Sequence, residues 1–153
     1  MKKSIFIILI SITYLFSNSF NVDDKVYKFS LPNQFNRIID IDKSIEIFIV
    51  SFEKGTSSII NNYLESKEDK FLERNHAVYI ANISKMPTFV TKWFAIPKMK
   101  SYKYNILLIY SEIDKRFLHK DGNFTIYKLK NGVIKSVDYI DSKTKLDNIF
   151  NIK

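Results

Sequence analysis

Three short apolar runs, similarly spaced along the chain, constrain the fold of this protein most. They span residues 45–52, 77–83 and 106–110 and consist mainly of Ile, Val, Leu, Ala and aromatic residues. A continuous apolar run of this length is typical of a strand that is buried on both faces, as parallel strands are. The run at 45–52 is the longest, and we expect it to form the central strand of a sheet.

A helical pattern of apolar residues follows each of the first two runs. Its members are Ile59, Ile60, Tyr63 and Leu64 in the first segment, and Phe89, Val90, Trp93 and Phe94 in the second. We expect Thr56 or Ser57 to cap the first helix. The second should open near Pro87 and end at Pro97. Its apolar side should turn Phe94 to the core and leave Trp93 partly exposed.

Two hairpins are predicted at the ends of the domain. Residues 26–29 and 35–41 have the character of short strands around a turn at 31–34. Residues 124–129 and 133–139 flank Asn131-Gly132, a pair that favours a tight turn between antiparallel strands. The remaining polar stretch, before the second hairpin, is expected to be a loop or a short helix.

The order of elements predicts an α/β fold. An N-terminal hairpin, two βα units, a second hairpin and a closing helix capped by Asp141 or Ser142 make a mixed sheet, with helices expected on both faces. With 153 residues, the chain has the size of one ordinary domain.

The first nineteen residues have the pattern of a signal peptide. Lys2 and Lys3 precede an apolar run at 5–16, and Ser17 and Ser19 follow as small residues for a signal peptidase. We expect cleavage after Ser19, export to the periplasm of a bacterium, and a mature domain over residues 20–153. An uncleaved membrane anchor is the alternative, disfavoured because a spanning helix needs about 20 apolar residues.

Composition excludes several kinds of chemistry. The chain has no cysteine and two histidines, so disulfides, thiolate metal sites and cysteine nucleophiles are absent. The formal net charge is +8, but the lysines alternate with acids rather than forming a stripe, and no nucleic-acid-binding motif is present. We therefore expect no nucleic-acid partner, no metal site and no cofactor.

Four segments resemble the thioredoxin superfamily, in particular its peroxiredoxin and TlpA-like branch. They are the opening segment at 27–35 with its Leu-Pro-Asn-Gln sequence, the central strand at 47–52, the added strand at 105–110, and the hairpin at 125–134. The resemblance covers about residues 25–151 and implies a thioredoxin-like domain with a mixed sheet flanked by helices.

A narrower resemblance lies in the second helical segment. Met86-Pro87 with residues 93–99 is similar to a group of small, exported, cysteine-free proteobacterial proteins, some of which carry an FAD/FMN-dehydrogenase label. The chain has three glycines and no Gly-x-Gly-x-x-Gly motif after a strand, so a phosphate cradle of that kind is missing. Flavin binding by another route stays an alternative.

The catalytic position of the superfamily is altered. Where the resemblance places cysteines, after the central strand, the chain has Lys54-Gly55-Thr56-Ser57-Ser58, and near Phe124 it lacks the family's substrate-facing proline. Hydroxyl groups lack the acidity and redox states of a thiolate. The first turn of this helix could instead bind an anion beside Lys54, although simple capping explains the same residues.

These departures predict a binding or accessory protein of the cell envelope without redox catalysis. The alternatives are an oxidoreductase that depends on a bound cofactor and a structural component of an envelope assembly. The partner is expected to be an envelope protein or an anionic molecule. We expect the binding surface to combine three segments at one sheet edge, with the candidate residues Lys54, Gly55, Thr56, Ser57, Met86, Pro87 and Phe124.

Three residues outside this surface have separate interpretations. Trp93 would anchor a partner if the helix exposes it. Asn123 lies in Asp-Gly-Asn-Phe-Thr, which matches the acid-extended sequon of bacterial N-glycosylation, although chance explains so short a motif. His119, in a polar loop, is expected to be solvated.

Overall fold

The structure, a computed structural model, describes residues 19–151. The predicted signal peptide lies outside the described residues, apart from Ser19. The strands are β1 (Phe29–Pro32), β2 (Ile38–Ile41), β3 (Ile47–Ser51), β4 (Ala77–Asn82), β5 (Ile106–Ile109), β6 (Phe124–Lys130) and β7 (Val133–Ile140). The helices are α1 (Lys54–Glu65), α2 (Phe71–Arg74), α3 (Thr88–Val90), a π-helical turn (Thr91–Ala95), α4 (Ile96–Met99) and α5 (Lys143–Asn151).

Five of the strands form one mixed sheet in the order β5-β4-β3-β6-β7. The central strand β3 runs parallel to β4 and antiparallel to β6, so that Ile49 lies opposite Tyr79 on one side and Ile126 on the other. All three residues are at most 1% exposed. The prediction that the three apolar runs are core strands is confirmed, with the longest run in the middle.

The two faces of the sheet are covered differently. One core cluster contains the buried apolar residues of α1, α2 and α5, and half-buried residues of α4 pack against it. The second cluster is filled by residues of β1 and β2 and by Phe117 from the loop before β6, and it contains no helix residue. The expectation of helices on both faces is therefore wrong for residues 19–151, because the N-terminal hairpin and this loop cover the second face.

The N-terminal hairpin is confirmed, but its first strand spans Phe29–Pro32 rather than 26–29 and its turn spans 33–37 rather than 31–34. β1 continues through Pro32, and β1 pairs antiparallel with β2 in the register Leu31 to Ile39. The buried side chains of Asn33 and Gln34 then tie the turn to the large sheet. The Asn33 Nδ2 donates to Asn105 at 2.9 Å, and the Gln34 Oε1 accepts the Ile106 N–H at 2.9 Å.

The second hairpin forms as predicted. β6 and β7 pair antiparallel on either side of a two-residue turn. Asn131 and Gly132 have φ values of 53° and 76°, the left-handed conformation that this turn requires and that Asn and Gly adopt most readily.

The segment from α3 to α4 differs from its prediction in two ways. Phe94 is 66% exposed, whereas Ile96 and Met99 pack against the first core cluster. The π-helical turn adds a residue to the helical repeat and so rotates the positions that follow it. Pro97 does not end the helix; it lies in the first turn of α4, where a missing N–H costs nothing.

Candidate functional site

A cleft of about 250 Å³ opens at one edge of the large sheet. Because β3 and β4 are parallel, their carboxyl ends meet at this edge, and β6 begins there because it runs antiparallel to β3. The cleft is lined by Phe52 and Glu53 after β3, by Asn82, Ser84 and Lys85 at and after the end of β4, and by Glu112, Asp114, Lys115, Phe117, His119 and Asp121 from the loop before β6. Ligands commonly bind at the carboxyl ends of parallel strands.

His119 is solvent-exposed, as expected, and it is also held in place at the cleft wall. Its ring stacks on Phe52 with centroids 4.4 Å apart. Its Nε2 lies 3.2 Å from the Glu53 Oε1. The same oxygen accepts the Gly122 N–H at 3.1 Å. Glu53 therefore connects the start of α1 to the loop before β6.

These contacts keep Glu53 ionised. The N–H of Gly122, and after it the His119 side chain, hold the pKa of the Glu53 carboxyl below its ordinary value. A hydrogen bond to the charged form of an acid favours that form. The Glu53 carboxylate is thus a negative charge of the cleft even in mildly acidic solution.

The cleft carries more acids than bases, although the protein as a whole is basic. Four carboxylates, those of Glu53, Glu112, Asp114 and Asp121, line it against Lys85 and Lys115. Asp114 is ion-paired with Arg116 at 2.8 Å, and the Asp121 side chain is fully exposed. With Asp114 neutralised by Arg116, Glu53, Glu112 and Asp121 remain against Lys85 and Lys115, and this small excess of negative charge suits a cationic group.

The start of α1 also differs from its prediction. Neither Thr56 nor Ser57 caps the helix, because Glu53 is the N-cap residue and has no side-chain capping bond. The Thr56 hydroxyl instead donates to the Glu53 carbonyl at 3.0 Å. The Ser57 hydroxyl donates to Ser51 at 2.9 Å, and Ser51 bonds to the Tyr79 hydroxyl at 3.0 Å. This hydroxyl chain of Ser51, Ser57 and Tyr79 joins α1 to β3 and β4.

Of the four candidate residues at the start of α1, two are accessible to a partner and two are not. Lys54 and Gly55 are exposed, and a Cβ added at Gly55 would meet nothing within 4 Å. Thr56 is 3% exposed and half-buried Ser57 is engaged in the hydroxyl chain, so neither is free to bind a partner. None of the four lines the cleft.

The other candidates divide in the same way. Pro87 is exposed just before α3. Met86 is half-buried and packs against the first core cluster, so replacing it would disturb the fold. Phe124 is fully buried and cannot supply the surface contact that was expected of it. The three segments do meet at one edge, but none of the seven candidate residues lines the cleft, and its lining includes their sequence neighbours Glu53 and Lys85.

Asn123 lies at this edge with little freedom to be modified. Its Nδ2 donates to the Asp121 carbonyl at 2.9 Å. The Thr125 of the sequon is fully buried, and its hydroxyl donates to the Leu118 carbonyl at 2.7 Å. An enzyme that reads this Thr would need the start of β6 to open, so the folded chain is a poor substrate.

One group of side chains has the composition and spacing of a metal site. Ligand atoms of Glu53, His119 and Asp121 all lie within 4.8 Å of one another. Imidazole nitrogen and carboxylate oxygen are ligands for Zn²⁺, Mn²⁺ and related divalent ions. All three side chains are solvent-accessible, and Glu53 and His119 already satisfy each other without an ion.

Sequence reasoning missed the side chains that build the cleft. Glu53 and His119 are 66 positions apart, and no periodic pattern links a helix N-cap to a residue in an irregular loop. The available signal was indirect: polar residues follow the predicted strands β3 and β4, and such residues meet at one sheet edge.

Comparisons with known proteins show the fold. No protein-family model matches the chain, and no curated protein matches it in sequence. Among solved structures, the thioredoxin domain of a thiol-disulfide oxidoreductase from Bacteroides vulgatus is 13% identical, with a TM-score of 0.52 over 87% of this chain and 100% of that one. A SCO1/SenC family lipoprotein from Bacillus anthracis is 11% identical, with a TM-score of 0.53 over 83% and 92%. Peroxidoxin BcpB from Mycobacterium tuberculosis is 14% identical, with a TM-score of 0.53 over 86% and 94%.

The described domain therefore has the thioredoxin-like fold, as its resemblance implied, and the chain contains no cysteine. Among residues 19–151, no helix combines the length and apolarity that a bilayer crossing requires.

Proposed function

We propose that the protein is an exported thioredoxin-like binding or accessory module of the bacterial cell envelope, without redox catalysis, and that its partner occupies the cleft between β3, β4 and the loop before β6. One observation carries this proposal: the chain has the fold of thiol-disulfide proteins and an open cleft at the corresponding edge, yet has no cysteine. A fold can keep its binding edge after losing its chemistry.

Two further features support the envelope as its location. The first nineteen residues have the charge and hydropathy pattern of a signal peptide. Proteins with the same fold include a lipoprotein. Export would place the module where it meets envelope proteins.

The cleft favours a partner that brings positive charge. Glu53 is kept ionised, and Glu112 and Asp121 lie exposed beside it. A lysine or arginine side chain of the partner would find several acceptors there, with Phe52 and Phe117 as apolar floor. We therefore place the partner's cationic segment in the cleft.

The test is retention of envelope partners by crosslinking in intact cells. The double variant Glu112→Lys/Asp121→Lys should lose the crosslinked partner, because it reverses two exposed charges of the cleft. The matched control is Glu65→Lys/Glu73→Lys, which makes the same change of net charge at exposed positions of α1 and α2. Equal retention by both double variants would refute the cleft as the binding site.

The purified protein separates the alternatives. A colourless protein agrees with a binding module, whereas absorbance in the visible region that co-purifies with the folded protein would favour a cofactor-dependent oxidoreductase. Stoichiometric isolation within a large assembly would favour a structural component.

A second candidate function is the binding of a divalent metal ion, favoured by the spacing of Glu53, His119 and Asp121. A ligand present at 100 times its Kd stabilises a folded protein by about 2.7 kcal/mol. Zn²⁺ or Mn²⁺ should then raise the Tm of the wild type and leave that of His119→Ala/Asp121→Ala unchanged. Equal shifts in both proteins would show binding elsewhere and remove this candidate.

A further inference from the structure

The segment from α3 to α4 turns an aromatic surface away from the protein. Phe89, Trp93 and Phe94 are 64%, 69% and 66% exposed, and we call these three residues the aromatic surface. The inner side of the same segment, with Ile96 and Met99, packs against the core. Three large aromatic side chains this exposed on one helical segment mark a surface that contacts something else.

The stretch of chain that carries the aromatic surface contains basic residues and no acidic residue. Residues 74–111 include no Asp or Glu. This stretch contains the exposed lysines Lys85, Lys92, Lys98, Lys100 and Lys103. Within residues 19–151, Lys92, Lys98 and Lys100 form no ion pair, whereas Lys103 pairs with Asp69. Their charge is therefore available to an anionic partner.

We propose that the aromatic surface and its lysines dock the protein onto the surface of a bilayer that contains anionic phospholipid. Trp and Phe are favoured at the boundary between headgroups and acyl chains, and lysines beside them attract lipid phosphates. A helix with aromatic residues on its outer side and basic residues around it is the form that such interfacial contacts take.

Charge distinguishes a lipid surface from a protein partner at this place. A protein interface commonly matches individual charges with individual partners. Here the positive charge is spread over a long stretch without any acid, and Lys92 lies 5.8 Å from the centre of the Trp93 ring. A continuous sheet of phosphates matches such a diffuse pattern better than a discrete protein does.

Docking through the aromatic surface does not depend on the partner proposed for the cleft. The lysines beside the aromatic surface are positively charged, whereas the cleft has an excess of acids. Lys85 lies between the two sites, since it lines the cleft and precedes α3. A docked protein would hold its acidic cleft beside the membrane surface, within reach of membrane-bound partners.

The chain offers a direct reporter, because Trp93 is its only tryptophan. The full-length protein is titrated with vesicles of phosphatidylcholine in which about a third of the lipid is phosphatidylglycerol, and with vesicles of phosphatidylcholine alone. We expect the Trp93 emission to shift to shorter wavelength with the anionic vesicles, and this shift to be reversed by high salt.

Two variants and a control locate the contact. Lys92→Glu/Lys98→Glu/Lys100→Glu should weaken vesicle binding roughly 100-fold or more, because each lysine contributes to the attraction. Phe89→Ser/Phe94→Ser should abolish the Trp93 shift while retaining part of the electrostatic binding. The matched control is Lys130→Glu/Lys135→Glu/Lys143→Glu, which makes the same charge change at exposed lysines of β6, β7 and α5. Its affinity for the anionic vesicles should stay within about threefold of that of the wild type.

Three results would overturn the proposal. Vesicles that bind the protein without moving the Trp93 emission would place the contact elsewhere, for example at the apolar residues 5–16. Equal loss by the control would show a dependence on net charge alone. A Trp93 emission that shifts only on addition of envelope proteins would assign the aromatic surface to a protein partner.

Discussion

Removing the Tyr79 hydroxyl should destabilise the protein by a measurable amount. Tyr79 is 1% exposed. Its hydroxyl is one end of the hydroxyl chain, in which Ser51 bonds to both Tyr79 and Ser57. Tyr79→Phe keeps the ring and deletes one buried hydrogen bond, which contributes about 0.5–1.5 kcal/mol and leaves a buried group with one partner fewer. We expect a loss of about 1–2 kcal/mol.

Chemical denaturation with urea measures this loss, and thermal unfolding checks it. At roughly 4 °C per kcal/mol for a domain of this size, the Tm should fall by about 4–8 °C. Tyr27→Phe is the matched control, because Tyr27 is 75% exposed and should change stability by less than about 0.5 kcal/mol.

A double-mutant cycle tests whether the hydroxyls act together. Ser51→Ala alone leaves the hydroxyls of both Tyr79 and Ser57 without their partner, whereas Ser51→Ala/Tyr79→Phe removes both groups of one bond. The double variant should therefore be less destabilised than the sum of the single variants, with a coupling of about 1 kcal/mol. Additive effects, or a Tyr79→Phe variant as stable as the wild type, would refute the claim that the hydroxyl chain stabilises the fold.

The remaining predictions concern the acid sensitivity of Glu53, two glycines and the absence of cysteine. Glu53→Gln should remove an acid-sensitive part of the stability: since the folded-state pKa of Glu53 is lowered, its contribution is present above about pH 5 and is lost as the pH falls through the folded-state pKa. Urea unfolding at several pH values should show the wild-type advantage shrinking with acid, and a constant difference would contradict it. Gly132→Ala should cost about 1 kcal/mol or more, because Gly132 has a φ of 76° and an added Cβ would lie 3.4 Å from a side-chain carbon. Gly55→Ala, in open space in the first turn of α1, should be neutral or stabilising by up to about 1 kcal/mol. A Gly55→Ala variant less stable than Gly132→Ala would contradict the backbone conformations of these two glycines. The purified protein should neither reduce insulin disulfides nor consume peroxide, since it has no cysteine, and turnover above that of a heat-inactivated control would count against this.

Much of the sheet could be predicted because its strands are buried on both faces. β3, β4 and β5 appear in the sequence as nearly unbroken apolar runs, a pattern that needs no knowledge of what covers them. The turn at Asn131-Gly132 was equally predictable, because its conformation depends on two adjacent residues.

The aromatic surface shows what periodicity cannot decide. Phe89, Trp93 and Phe94 recur at helical spacing, and such a stripe usually faces a core. Periodicity shows which residues share a face of a helix but not whether that face points to the core or to solvent. Here Ile96 and Met99, on the other side of the segment, pack against the core instead. The π-helical turn that separates the two sets leaves no recognisable mark in the sequence.

The candidate site was predictable only as a location. Parallel strands bring their carboxyl ends to one edge whatever their side chains, so the convergence of the three segments follows from topology. Which side chains are accessible there depends on tertiary packing: Phe124 turns inward, and His119 is placed by its stack on Phe52. Neither outcome is encoded within a few residues.

Photo-crosslinking from inside the cleft, in intact cells, tests the central claim most directly. A photoreactive amino acid replaces Lys115, which is exposed at the cleft and is not one of its carboxylates, and in a second strain it replaces Glu65 on the far part of α1. The proposed binding function predicts a discrete crosslinked protein from position 115 and none from position 65. No crosslink from position 115, or the same product from both positions, would contradict it.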